Sequence, residues 1–196
     1  MGTVTYDPST ALIIVDVQND FADPKGNLYV KSGEDVVPII NAEISRAKSA
    51  GAHVAYTADW HPESTPHFQK DGGIWPVHCV GDTWGAEFHP DLVVDGPVVR
   101  KGTNGEDGYS GFAMQDPVTM EAIPTELAQV LRDRDIERIV VVGLATDYCV
   151  KATALDGIVA GFSVQLLTDA VRAVDLTEGD GDQALAEVEA AGGELI

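Results

Sequence analysis

Short apolar runs alternate along the chain with stretches whose apolar residues recur every three or four positions. The first run, residues 11–15, is apolar throughout and stops at Asp16. An unbroken run of this kind predicts a strand covered on both faces rather than one with a wet side. Between residues 34 and 50, Val37, Ile40, Ile44 and Ala47 share one face, which predicts an amphipathic helix. A second strand is expected at 53–57, running out toward Asp59, and a third at 98–100, ending at Lys101. Between them lies a long loop, from His61 to about Pro90, rich in Pro, Gly and His. Further on, the pattern predicts a helix over 124–133, a strand over 138–143, a strand over 163–167 and a helix over 183–191. After the strand at 138–143 comes a short polar turn, and Cys149 then opens a helical pattern carrying Val150, Ala154 and Ile158. Such alternation predicts a parallel sheet with helices on both faces, in one α/β domain spanning residues 1–196.

The polar residues that interrupt this pattern carry the chemistry. Asp16, Asp59 and Lys101 each fall at or just beyond the C-terminal end of an expected strand, and Cys149 lies one turn beyond another. Open α/β sheets form their sites outside those ends, so four separate segments are expected to converge. A lone Asp at a strand end is an ordinary turn residue; four such placements are a pattern. Cys149 at a helix start sits among N–H groups without intrahelical partners, a setting expected to lower a thiol pKa and to hold an oxyanion. Asp16 can take and return the thiol proton, and Lys101, one of six lysines, adds a cation that favours the thiolate.

The histidines form a second group. Asp59 and His61 are alternate residues, which in extended backbone point to the same side, and His67 and His78 follow in the same loop. One carboxylate and two or three imidazoles make a ligand set for a divalent metal: zinc foremost, with iron or manganese as alternatives. His53, inside a strand, and His89, in a turn, are assigned no ligand role.

Composition narrows the partners. Asp and Glu number 32 against 12 Lys and Arg, a formal net charge of −20, which excludes long-range attraction to nucleic acid or to an anionic membrane. The acids are scattered, as on a solubilising surface or one adapted to high salt; the sequence leaves that choice open. The two cysteines, Cys79 and Cys149, are too few for a disulfide framework and point to an intracellular protein. With no long apolar run and no apolar leader, a cytoplasmic location is expected, and a homo-oligomer is compatible with the sequence.

Seven motifs, in order, carry a family resemblance: residues 14–21 (Ile14-Val15-Asp16-Val17-Gln18-Asn19-Asp20-Phe21), Asp59-Trp60-His61-Pro62, Trp75-Pro76-Val77-His78-Cys79-Val80, Gly85-Ala86-Glu87-Phe88-His89-Pro90, Lys101-Gly102, Tyr109-Ser110-Gly111-Phe112, and Gly143-Leu144-Ala145-Thr146-Asp147-Tyr148-Cys149-Val150. Together they resemble the pyrazinamidase/nicotinamidase family of the isochorismatase-like cysteine hydrolase superfamily. The resemblance implies a three-layer, doubly wound, six-stranded parallel sheet and a catalytic triad of Asp16, Lys101 and Cys149. It also implies one divalent metal on Asp59, His61 and His78, with His67 a ligand in only some members. A cis peptide at Ala145-Thr146, an oxyanion site there, and substrate contacts from Phe21, Trp75 and Tyr109 are implied too. The small-molecule substrate so implied is nicotinamide, hydrolysed to nicotinate for NAD salvage. The alternatives are an amidase for another heterocyclic or N-carbamoyl amide, and a silent relative that only binds. Relatives acting on ureido compounds generally lack the Asp-Trp-His and Trp-Pro-x-His motifs, and isochorismatases lack the cysteine.

Overall fold

The computed structural model describes residues 3–196. Its elements run β1 (Thr10–Val15), α1 (Asn19–Ala22), α2 (Val36–Ser49), β2 (His53–Asp59), β3 (Val98–Lys101), β4 (Ala113–Gln115), β5 (Ala122–Pro124), α3 (Leu127–Arg132), β6 (Arg138–Leu144), α4 (Lys151–Val159), β7 (Ser163–Arg172), α5 (Asp180–Ala190) and β8 (Glu194–Leu195). Six strands form one parallel sheet in the order β3-β2-β1-β6-β7-β8, flanked by helices. This is the expected three-layer architecture.

The unbroken apolar runs follow from that layering. In β1, Leu12 and Ile14 pack into the layer that holds Val37, Ile40 and Ile44 of α2. Ala11, Ile13 and Val15 point the other way, onto Val150 and Ala154 beside α4. Val140, Val142 and Leu144 of β6 join the first layer, and Ile139 and Val141 the second. With both faces covered, no position on these two strands is left for a polar residue except their ends. There the chain direction from β1 diverges, toward β2 on one side and β6 on the other, so a crevice opens above the switch point.

Close packing at that point needs a glycine. Gly143 sits opposite Val15 with φ at 114°, and a Cβ there would lie 2.1 Å from the Val15 carbonyl oxygen. Only a residue without a side chain lets β6 approach β1 so closely.

Several expectations need correction. The helix expected over 124–133 starts three residues later, because Ala122–Pro124 pairs antiparallel with Ala113–Gln115 in a hairpin. Thr125 then receives the Leu127 N–H on its hydroxyl (3.2 Å), which marks the start of α3. The strand at 163–167 runs further than its apolar core, to Arg172, while the strand begun at 53–57 ends at Asp59 as expected. The cis peptide lies at Leu144-Ala145, one residue earlier than the resemblance implies, where β6 ends and the turn toward Cys149 begins. Cys149 does not open α4 but sits inside the wide turn before it, where the Val150 N–H reaches back to the Ala145 carbonyl (3.0 Å). No described helix is long and apolar enough to cross a membrane.

Candidate active site

The two central strands deliver the first two reactive groups. Asp16, one residue past β1, has a left-handed backbone (φ 49°), a conformation Asp tolerates better than most. That turn buries its carboxyl completely, where Oδ1 accepts the Thr57 hydroxyl (2.6 Å). Cys149 comes from the turn after β6 and is also buried. Lys101, the last residue of β3, reaches across β2 to join them. Its ammonium donates to Asp16 Oδ2 (2.6 Å) and to the Tyr109 carbonyl (3.0 Å), and lies 2.9 Å from Asp59 Oδ1 and 3.5 Å from Cys149 Sγ. A fully buried ammonium is costly unless paired, and two carboxylates pair it here.

Those contacts fix the protonation states. Burial opposes the charge on Lys101, but Asp16, Asp59 and Cys149 outweigh it and hold the ammonium firmly protonated. Burial raises Asp59 as well, yet Lys101, His61 and His78 overcome this and keep its carboxyl below the ordinary range. In Asp16 burial wins over Lys101, and the carboxyl is raised. Cys149 is raised well above an ordinary thiol, by burial first and then by Asp16 and Asp59, with Lys101 opposing. The sequence expectation of a lowered thiol pKa is therefore reversed: desolvation and two anions exceed the help from one cation, and the thiol lies before the helix start rather than at it.

The long loop supplies the rest. Asp59 Oδ2 lies 3.6 Å from His61 Nε2 and 3.9 Å from His78 Nε2, and the rings of His61, His67 and His78 stand 5.0–5.3 Å apart. Ligand atoms of the three histidines fall within 4.8 Å of one another. His78 Nδ1 is 2.7 Å from the Pro76 carbonyl, which leaves its Nε2 as a lone-pair donor, and His67 Nδ1 lies 2.7 Å from Asp107 Oδ1 without the alignment of a hydrogen bond. His61 is buried with neither ring nitrogen hydrogen-bonded. Buried polar atoms without partners are rare, and a cluster of imidazoles beside a carboxylate is what a borderline divalent ion requires. The donor set fits such a metal.

The first motif braces this arrangement. Gln18 donates to the Asp59 and Ala86 carbonyls (2.7 and 2.8 Å) and accepts the Asp59 N–H (2.8 Å), clamping the end of β2. Asp20 accepts the N–H groups of Cys79 (2.7 Å) and Asn27 (2.9 Å), so one buried carboxylate ties the His78 loop to the pocket wall. Between the thiol and the histidines lies a narrow pocket lined by Phe21, Trp75, Tyr109 and Tyr148 among others. Trp75 Nε1 donates to the Tyr109 hydroxyl (3.0 Å), and Tyr148 meets Trp75 edge-on at 4.9 Å.

A fold, a motif order and this convergence agree with one assignment, and the isochorismatase domain matches residues 10–196. The chain belongs to the isochorismatase family. Within that hydrolase family it is similar to the nicotinamidase of Escherichia coli (strain K12), with 36% identity over 206 residues covering 96% of this chain and 94% of the relative. It is similar in structure to the pyrazinamidase of Pyrococcus horikoshii in complex with zinc, with a TM-score of 0.86, 41% identity, and coverage of 96% of this chain and 99% of that one. PnC1 from L. infantum in complex with nicotinate superposes with a TM-score of 0.89 at 38% identity, covering 98% of this chain and 95% of that one.

The structure brings together Asp16, Lys101, Cys149, Asp59, His61, His67 and His78, and places Phe21, Trp75, Tyr109 and Ala145 on the pocket wall. Thr146 is buried in the turn behind Ala145 and does not line the pocket. Sequence reasoning missed Leu28, Val30, Tyr148 and Val174 in that wall, and Asp107 beside His67. Tyr148 was findable as the neighbour of Cys149; the others sit in irregular segments where no periodicity marks them.

Proposed function

We propose that the protein is a metal-dependent cysteine amidohydrolase that converts nicotinamide to nicotinate and ammonia through a thioester, in NAD salvage. Pyrazinamide, with one further ring nitrogen, is a second substrate. One observation carries the reading: Asp59 offers one oxygen to the ammonium beside Cys149 and turns the other to His61 and His78, so nucleophile and metal ligands share one narrow pocket. A buried thiol at one end and an imidazole cluster at the other suit a small ring bearing a carboxamide. The zinc and nicotinate named for the similar structures support the same choice.

The residues divide the work. A divalent ion (zinc, with iron or manganese as alternatives) held by Asp59, His61, His78 and His67 would supply a coordination position for a pyridine nitrogen. Phe21, Trp75 and Tyr109 flank the ring. Asp16 takes the Cys149 proton as the sulfur attacks the carboxamide carbon. Burial has raised both groups, so the resting proton stays on sulfur while the carboxylate is a stronger base than an exposed Asp. Lys101, in contact with both, offsets the negative charge that passes between them. The N–H groups of Ala145 and Cys149 receive the oxyanion that forms. The intermediate collapses as the C–N bond breaks, Asp16 returns the proton to the leaving nitrogen, and ammonia departs. Water, activated by Asp16, then cleaves the thioester.

An ammonia-release assay across an amide panel tests this. Nicotinamide and pyrazinamide should be turned over, and benzamide, the same shape with C–H in place of the ring nitrogen, should lose roughly a hundredfold or more in kcat/KM. Equal rates for benzamide and nicotinamide would refute ring anchoring. Preference for an N-carbamoyl substrate would shift the assignment to another amidase of the family.

A further inference from the structure

We infer that Asp107 is a positioning residue for the metal centre, acting through His67; the inference rests on the metal site proposed above. His67 is buried, and its Nδ1 lies 2.7 Å from Asp107 Oδ1. The two atoms touch without the alignment of a hydrogen bond, and Asp107 Oδ1 has no other partner among the described residues. A small turn of the ring would let Nδ1–H donate to that oxygen, fixing the tautomer with the Nε2 lone pair left for the ion. His78 is fixed by its hydrogen bond with the Pro76 carbonyl, so the two histidines furthest from Asp59 in sequence each have an oxygen beside the outer nitrogen. Histidine ligands held in this way bind metal more tightly, because the ring is oriented and made more basic before the ion arrives.

Asp107 is built to do this from firm ground. Its N–H and carbonyl pair with Gln115 of β4, so the hairpin extends to the residue that holds His67. Thr65 Oγ1, two residues before His67, reaches the Gly105 carbonyl at 3.3 Å, tying the same two loops a second time. Charge adds to the geometry. The Asp59 carboxylate is shared with the Lys101 ammonium at 2.9 Å, so only part of its charge is available to an ion. Asp107 supplies a second negative charge beside His67, and among the described residues no other acid pairs with that ring.

The test measures zinc affinity of the metal-free full chain by competition with a chromophoric chelator, independently of turnover. Asp107→Asn should bind one zinc with affinity reduced about 10–100-fold. Asp107→Glu should recover much of the loss. Thermal unfolding of the metal-free proteins should coincide, because the Asp107 side chain is 45% exposed and its backbone pairing survives the change. Adding Asp107→Asn to His67→Ala should cost nothing further, since the carboxylate then has no ring to orient. Wild-type affinity in Asp107→Asn overturns the inference while leaving the metal site standing, as does a full additional loss in the double variant. Failure of the wild type to bind zinc overturns the metal site and this inference with it.

Discussion

The sulfur side of the pocket and the histidine side are built in opposite ways. On the sulfur side, Asp16 and Lys101 come from strand ends and satisfy one another: both carboxylate oxygens of Asp16 are occupied, and Lys101 donates to acceptors at 2.6 and 3.0 Å with the Asp59 carboxylate as a further ion-pair partner at 2.9 Å. On the histidine side, the ligands arrive on loops, the contacts to Asp59 lengthen to 3.6 and 3.9 Å, and both nitrogens of His61 are left over. In the first half, Asp16 and Lys101 are held by protein partners. The other gathers buried imidazole nitrogens that no described protein group meets. The difference teaches how each side is held: Asp16 and Lys101 are fixed by the sheet and by one another, whereas His61, His67 and His78 are carried on the long loop.

The largest effect that could break this contrast is loss of the nucleophile. Cys149→Ala and Asp16→Asn should each lower kcat on the order of 10⁴-fold or more, as removal of a covalent nucleophile or its base does. If the two halves are independent, zinc affinity of Cys149→Ala should match the wild type. Substantial ammonia release by Cys149→Ala sinks the thioester route.

A smaller effect, of a few kcal/mol, should appear in stability. Leaving buried His61 nitrogens without partners costs about 1–3 kcal/mol. Zinc at a thousand times its Kd should add about 4 kcal/mol to unfolding, and the melting temperature should rise with its concentration. His61→Ala should erase most of that response, and chelation should lower wild-type activity and Tm together. An unchanged melting temperature across a zinc titration would contradict a zinc site at these histidines.

The same contrast governs what could be read from the chain alone. Asp16, Asp59 and Lys101 stand where apolar runs stop, so periodicity located them and topology predicted that they would meet. Asp59 and His61 were likewise legible from extended backbone. The hairpin at β4 and β5 was not: its strands are three residues each and partly exposed, with no alternation strong enough to compete with the helical pattern that follows. Asp107 was invisible for the same reason, since its position depends on pairing with Gln115. The thiol pKa was misjudged because local sequence shows a helix start but not the depth of burial, and burial is the larger effect.

The finest comparison is within the sulfur side, where neighbours of one thiol pull in opposite directions. Burial, Asp16 and Asp59 raise the Cys149 pKa, and Lys101 lowers it. Alkylation by a small haloacetamide follows the thiolate, so its rate in the wild type should climb with pH only beyond the range of an exposed cysteine. Lys101→Met keeps the stem but removes the cation, and should move that climb to still higher pH. Asp16→Asn removes an anion of almost the same shape, and should move it to lower pH even as turnover vanishes. Activity should show the complementary sign: protonating Asp16 removes the base, and its carboxyl is raised, so kcat/KM should fall on the acid side above the ordinary carboxylate range. Coincident alkylation profiles for the two variants would mean that desolvation alone sets the thiol, and that the contacts of Lys101 serve to place groups rather than to tune them.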